Sequence, residues 1–152
     1  MKKCLGVIFY KGLKKENPSS LIPDHIICAL TGGRFSHVEL VLYKTKDDLY
    51  LCFSSSHRDR GLRFKEIDIH SGSWVFIEPE NLPTLAAIGD FYSRYKNARY
   101  DYIGLVSTVY PMANFNITNR LFCSELVSEV FNIKHPYKVS PQGLYDLLIK
   151  GN

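Results

Sequence analysis

No two cysteines in this chain fall in a C-x-x-C spacing; Cys4, Cys28, Cys52 and Cys123 lie far apart. That argues against a disulfide framework or a zinc knuckle and for reduced thiols in a cytosol-like compartment. No apolar run approaches the roughly 20 residues that a membrane span requires. The opening stretch from Met1 to Tyr10 has the paired lysines and apolar run of an export signal. Its run stops at Lys11 without a small-residue cleavage site, and it reads as a first strand. Charge of one sign is also scarce: 19 Lys and Arg against 15 Asp and Glu leave +4, scattered, with no basic stripe for nucleic acid. There is no internal repeat and no low-complexity segment. These absences leave one domain over residues 1–152, cytoplasmic, with no nucleic-acid partner and no integral membrane segment expected.

What is present is enough for a core. Hydrophobic residues make up 45% and aromatics 13%, which excludes a disordered chain. A domain of 152 residues buries roughly two-thirds of its unfolded surface. Strand patterns cover 4–10, 36–44, 49–54, 61–68 and 73–78, with Lys46-Asp47-Asp48 as a hairpin connection and polar turns at 54–61 and 70–73. Helix patterns follow. One short helix is expected over 23–30, stopped by Gly32-Gly33. Leu85, Ile88, Tyr92 and Tyr95 mark a second, and 101–110 a third. The stretch from Arg120 to Phe131 is a fourth, with Leu126, Val127, Val130 and Phe131 toward the core and Glu125, Ser128 and Glu129 opposite. Ser140-Pro141 opens a last one carrying Leu144, Leu147 and Leu148. Strands first and helices mostly later predict an α+β fold, a central antiparallel sheet packed against helices.

Two segments carry chemistry. With Thr118 or Asn119 as N-cap, Cys123 sits in the first turn of its helix. The positive end of the helix dipole and the unsatisfied N–H groups there favour a thiolate and can hold an oxyanion. Taken alone, Cys123 reads first as a small buried hydrophobe, as most free cysteines are. In 36–44 the alternation puts Val38, Leu40 and Leu42 on one face and His37, Glu39, Val41 and Tyr43 on the other. His37 and Glu39 are thus neighbours on one side of one strand. A carboxylate there fixes one imidazole nitrogen and frees the other to take a proton from a nucleophile. A surface strand histidine beside a glutamate is the bland alternative. As metal ligands the pair finds no third residue of matching spacing, and no metal or cofactor is expected.

The run Thr31-Gly-Gly-Arg-Phe-Ser-His-Val-Glu-Leu-Val41, followed by Phe122-Cys-Ser-Glu-Leu-Val127, resembles the circularly permuted NlpC-type papain-like superfamily. YiiX-like, lecithin:retinol acyltransferase-like and poxviral proteins belong to that group. The likeness extends over Ala98–Leu105 and Val139–Leu144 and so covers most of the chain. It implies a papain-like fold with the histidine strand ahead of the cysteine helix, a nucleophile Cys123, a base His37 and an orienting Glu39. In place of the Gly-Asp-Ile-like first strand of many bacterial members stands Leu5-Gly-Val-Ile-Phe9, which leaves the second oxyanion donor open.

The expected function is a cysteine peptidase or amidase acting through an acyl-enzyme on a peptide, amide or acyl-ester substrate. The alternatives are a lipid acyltransferase or thioesterase of the same fold, and an idle binding module that keeps only the fold. Tyr100, Tyr102, Ser36 and Ser124 are the candidate substrate contacts. Tyr100, Asp101 and Tyr102 read first as packing before a core helix, Trp74 as a core or edge anchor, and His57, Arg58 and Arg60 as a solvated loop. His25, His70 and His135 have no evident partner in the sequence.

Overall fold

A seven-stranded sheet forms because five runs of β-branched, aromatic and aliphatic residues alternate or are wholly apolar; short connections join the second, third and fourth of them, while the first pairs with partners distant in sequence. The structure is a computed structural model that describes residues 2–11, 28, 32–107 and 120–151. The strands are β1 (Gly6–Tyr10), β2 (His37–Lys44), β3 (Tyr50–Ser56), β4 (Gly61–Ile67), β5 (Trp74–Ile77), β6 (Arg99–Tyr100) and β7 (Arg120–Leu121). Their order is β5-β1-β2-β3-β4-β6-β7. The helices among the described residues are α1 (Leu85–Tyr95), α2 (Tyr102–Ser107), α3 (Cys123–Val130) and α4 (Pro141–Lys150). The fold is α+β, as the element order predicts. The sheet is mixed rather than antiparallel throughout, because β6 and β7 pair in parallel. A parallel pair requires a crossover, and the connection between these two strands contains α2.

Several boundaries move, each for a local reason. The loop expected from Ser54 begins only at His57, because Ser54, Ser55 and Ser56 continue β3 into the core. Their hydroxyls replace water with backbone carbonyls: Ser54 donates to Val38 O and Ser55 to Leu121 O, each at 2.7 Å. The 70–73 turn is a 3₁₀ turn at Ile69–Ser71 closed by Gly72 at φ 73°. Helix α3 is capped at Phe122, not at Thr118 or Asn119. Both lie outside the described residues, and Arg120–Leu121 is still strand. Leu147 is half exposed, so α4 packs through Leu144 and Leu148 instead. Of the helix expected over 23–30 only Cys28 is described, and it is helical, its carbonyl accepting from Gly33 N at 3.1 Å; the end of the 101–110 helix lies outside the described residues.

The core lies between one face of the sheet and the helices. Val7, Phe9, Val38, Leu40 and Phe53 meet Ile88 and Phe91 of α1, Leu126 and Val127 of α3 and Leu144 of α4, all fully or nearly fully buried. Burying each such side chain stabilises by about 1.5–3 kcal/mol. Helix α3 crosses β2 and β3 and is flanked by α1 and α4. It is therefore buried almost all round, including Glu125 and Ser128, which the helical pattern assigns to the outer face. The opposite face of the sheet holds a smaller cluster of Ile8, Val41, Cys52 and Ile67. Both faces of β2 are consequently covered, and Glu39 is completely buried.

Candidate active site

The site is assembled at the start of β2. Register sets its rows. Tyr10 is opposite both His37 and Trp74, and Ile8 is opposite Glu39. His37 is the first residue of β2, so its ring stands at the end of the strand. From there it reaches Glu39 on its own strand face and Cys123 at the first position of α3. Its Nε2 lies 3.1 Å from Glu39 Oε1. That leaves Nδ1 as the ring nitrogen available to the thiol. Trp74 lies edge-on to the imidazole, with ring centroids 6.5 Å apart, and Tyr10 packs against Trp74 at 5.0 Å.

Burial opposes a charged imidazole here. The charge and hydrogen bond of the Cys123 side chain, followed by those of Glu39, outweigh it and push His37 up to about 10. Burial also works against the Glu39 carboxylate. The hydrogen bond and charge of His37, and then those of Arg63, hold it below the ordinary carboxylate range. Arg63 is the member that sequence reading misses. Its Nη1 donates to Glu39 Oε2 at 3.2 Å and its Nη2 to Oε1 at 2.6 Å, a two-pronged clamp. Nothing in a one-strand pattern signals it, because β4 meets β2 only across β3.

Cys123 is itself fully buried within the main core. It differs from the other buried thiols by its neighbour. Burial pushes Cys4 up to about 11, and burial together with the charge of Glu39 raises Cys52 further. In α3 the first intrahelical bond runs from Leu126 N–H to Phe122 O. The N–H groups of Cys123, Ser124 and Glu125 therefore precede the helical ladder.

A cavity of about 370 Å³ opens beside this assembly, with Tyr10, Ser36, His37, Trp74 and Tyr100 in its wall and Glu39 and Arg63 at its base. Of the four candidate substrate contacts, it brings together Ser36 and Tyr100. Ser36 is buried, and its Oγ has no hydrogen-bond partner among the described residues. Tyr102 stands outside, largely exposed, its ring against Tyr100 and its hydroxyl donating to His57 O. Ser124 is turned away, donating to Val139 O at 2.7 Å. Neither Cys123 nor Ser124 lines the cavity. Tyr100 is held in the wall because Gly61 lets β6 approach. A Cβ at Gly61 would lie 2.5 Å from Ala98 O.

Other residues resolve more simply. Trp74, read as an anchor, and His57, read as a solvated loop residue, both line the cavity. Asp101 is buried and caps α2, accepting from Ile103 N and Gly104 N. His70 lies 3.9 Å from Asp48, and His135 lies 3.4 Å from the Tyr137 hydroxyl; His25 is outside the described residues. Among the described residues no group of three or more His, Cys, Asp or Glu is placed to hold a metal ion, and no helix is long and apolar enough to cross a membrane. The chain matches no protein-family model, and no curated protein is similar to it.

Helix α3 also carries a buried acid. Glu125 accepts from Phe122 N–H at 3.4 Å. Burial, only partly offset by that bond, and the charges of Asp101 and Glu129 push it up to about 7. The folded state thus holds this proton more tightly than the unfolded state, so stability falls as pH climbs from the ordinary carboxyl range through about 7. Glu125→Gln keeps the acceptor and removes the ionisation. It is expected to raise the unfolding free energy at pH 8 by on the order of 2 kcal/mol, and Tm with it, and to change little at pH 4.5. Thermal unfolding at the two pH values checks this; an equal shift at both would refute it.

Proposed function

We propose that the protein is a cysteine hydrolase of the permuted papain-like, NlpC-type kind, cleaving an amide or related acyl bond through an acyl-enzyme. The observation that carries this reading is one imidazole contacting, at once, a buried carboxylate and a cysteine at the first position of a helix. Proton transfer from Cys123 Sγ to His37 gives a thiolate–imidazolium pair, which Glu39 supports from the far side of the ring. The thiolate adds to the carbonyl carbon, and the oxyanion is held by the Cys123 N–H at the helix start. The Ser36 hydroxyl, buried and unpartnered beside His37, supplies a second donor. The tetrahedral species collapses to a thioester as His37 returns its proton to the leaving amine. Water, deprotonated by His37, then adds to the thioester and releases the acid and the thiol.

Labelling with iodoacetamide at neutral pH, mapped by mass spectrometry, tests the reading. The label is expected on Cys123, ahead of Cys4 and Cys52, whose burial keeps them protonated. Cys123→Ala, with its fold verified by circular dichroism, is expected to lose it. Equal labelling of the two proteins would count against thiol chemistry and leave the binding-module alternative standing.

A further inference from the structure

The proposed reaction uses Cys123, His37 and Glu39, yet the group most heavily tied to Glu39 is an arginine two strands away. Ser54 pairs with Arg63, and extending the β2–β3 register from Leu40 opposite Phe53 puts Glu39 opposite Ser54. Glu39, Ser54 and Arg63 thus form one row on one face. The middle member is small, and its hydroxyl is turned to Val38 O. The arginine therefore reaches across β3 and closes both prongs on the carboxylate. Its Nε is paired in turn with Asp59 Oδ2 at 2.6 Å, on the turn that starts β4. Glu39 Oε1 receives His37 and Arg63 together, while Oε2 receives Arg63 alone. A carboxylate with no exposed surface, held this way, has only one oxygen to present to the imidazole, and that oxygen cannot rotate away.

We propose that Arg63 is a positioning residue that holds Glu39 as an anion with Oε1 turned to His37, so that the imidazole keeps the orientation Cys123 requires. This rests on the cysteine-hydrolase reading and names what sets its working pH. The titratable and charged groups around the carboxylate are His37 on β2, Cys52 on β3 and Arg63 on β4. Asp59 acts through Arg63, and Lys65 lies one alternate position along β4; Ile8 of β1 brings no charge. Cys123 acts on Glu39 through His37. Without the guanidinium, burial is opposed by His37 alone, and Glu39 takes a proton at higher pH. A protonated Glu39 no longer supports the imidazolium, and the acid limb of activity moves up.

The experiment compares wild type, Arg63→Gln and Arg63→Lys by the acylation burst with p-nitrophenyl acetate and by NMR titration of the His37 ring from pH 5 to 8. Arg63→Gln is expected to lose at least about tenfold in burst rate at the acid end, one pH unit of limb shift, and to recover as pH rises. Its His37 signal gains a step in this range as Glu39 protonates, whereas the wild-type signal stays flat. Arg63→Lys keeps the charge but not the fork, so its limb and flat signal match wild type while its plateau rate falls. Uniform loss at every pH with a flat His37 signal would overturn the proposal by reducing Arg63 to a structural role. If Arg63→Gln does not fold, Arg63→Lys decides, and a wild-type plateau in it overturns the proposal. A wild type with no Cys123-dependent burst would instead overturn the hydrolase reading, while the His37 step would still show whether Arg63 governs Glu39.

Discussion

His37→Ala is expected to slow acylation of Cys123 by about 10²–10⁴, the usual worth of a positioned acid–base group. Two steps fail together in this variant. The thiol loses the acceptor for its proton, and the leaving group loses its donor. The fold is expected to survive, because the histidine side chain is 18% exposed and Glu39 keeps both bonds from Arg63. In wild type the imidazolium persists until pH passes about 10, so the loss of the acid should appear as an alkaline limb near there. Burst kinetics from pH 5 to 11 on both proteins measure the effect. An unchanged rate in His37→Ala would mean that the sulfur–imidazole contact does no chemistry.

Glu39→Ala is expected to be the most destabilising single change at the site, costing about 3–5 kcal/mol. The reason is what it leaves behind. Arg63 is only 14% exposed at its side chain, and its two Nη groups would lose both partners, with Asp59 alone still facing it. Replacing Glu39 and Arg63 together with leucine should recover much of that loss while abolishing activity, since a well-packed apolar pair is often no less stable than a buried ion pair. Urea midpoints at constant m-value give the comparison. A loss under about 1 kcal/mol for Glu39→Ala would refute the burial argument.

The pH dependence of stability follows from Glu39 and His37 and has two sides. Glu39 has a depressed folded value, so its contribution is present above the ordinary carboxylate range and is lost as pH falls through the folded value. His37 has a raised one. Its contribution is whole below its ordinary value of 6.5 and is lost as pH climbs through about 10. Glu125 acts in the same sense as His37 and against Glu39: its contribution is lost as pH climbs from the ordinary carboxyl range through about 7.

Legibility in the sequence follows interaction range. Alternation in 36–44 placed His37 and Glu39 on one face, and the hydrogen bond between them is a two-residue contact that needs no fold. Ser140 was readable as a cap because a cap acts within three residues; its hydroxyl accepts from Gly143 N. The same local reasoning failed at Glu125 and Ser128. A helix pattern assigns an outer face, but α3 has the sheet on one side and α1 and α4 on the others. It failed at Ser124 too, whose neighbour in space is Val139 rather than the cavity.

The amino-acid order by itself determined the α+β element succession, the strand that carries His37 beside Glu39, and the helix whose first turn holds Cys123. These are short-range matters of periodicity, capping and strand alternation. Only the tertiary structure decided that the imidazole reaches that cysteine and that Arg63 clamps Glu39 across an intervening serine. It alone turned Ser36 and Tyr100 into the wall of one cavity. Such contacts depend on strand register and on how an α-helix lies over a sheet, and no local pattern encodes either.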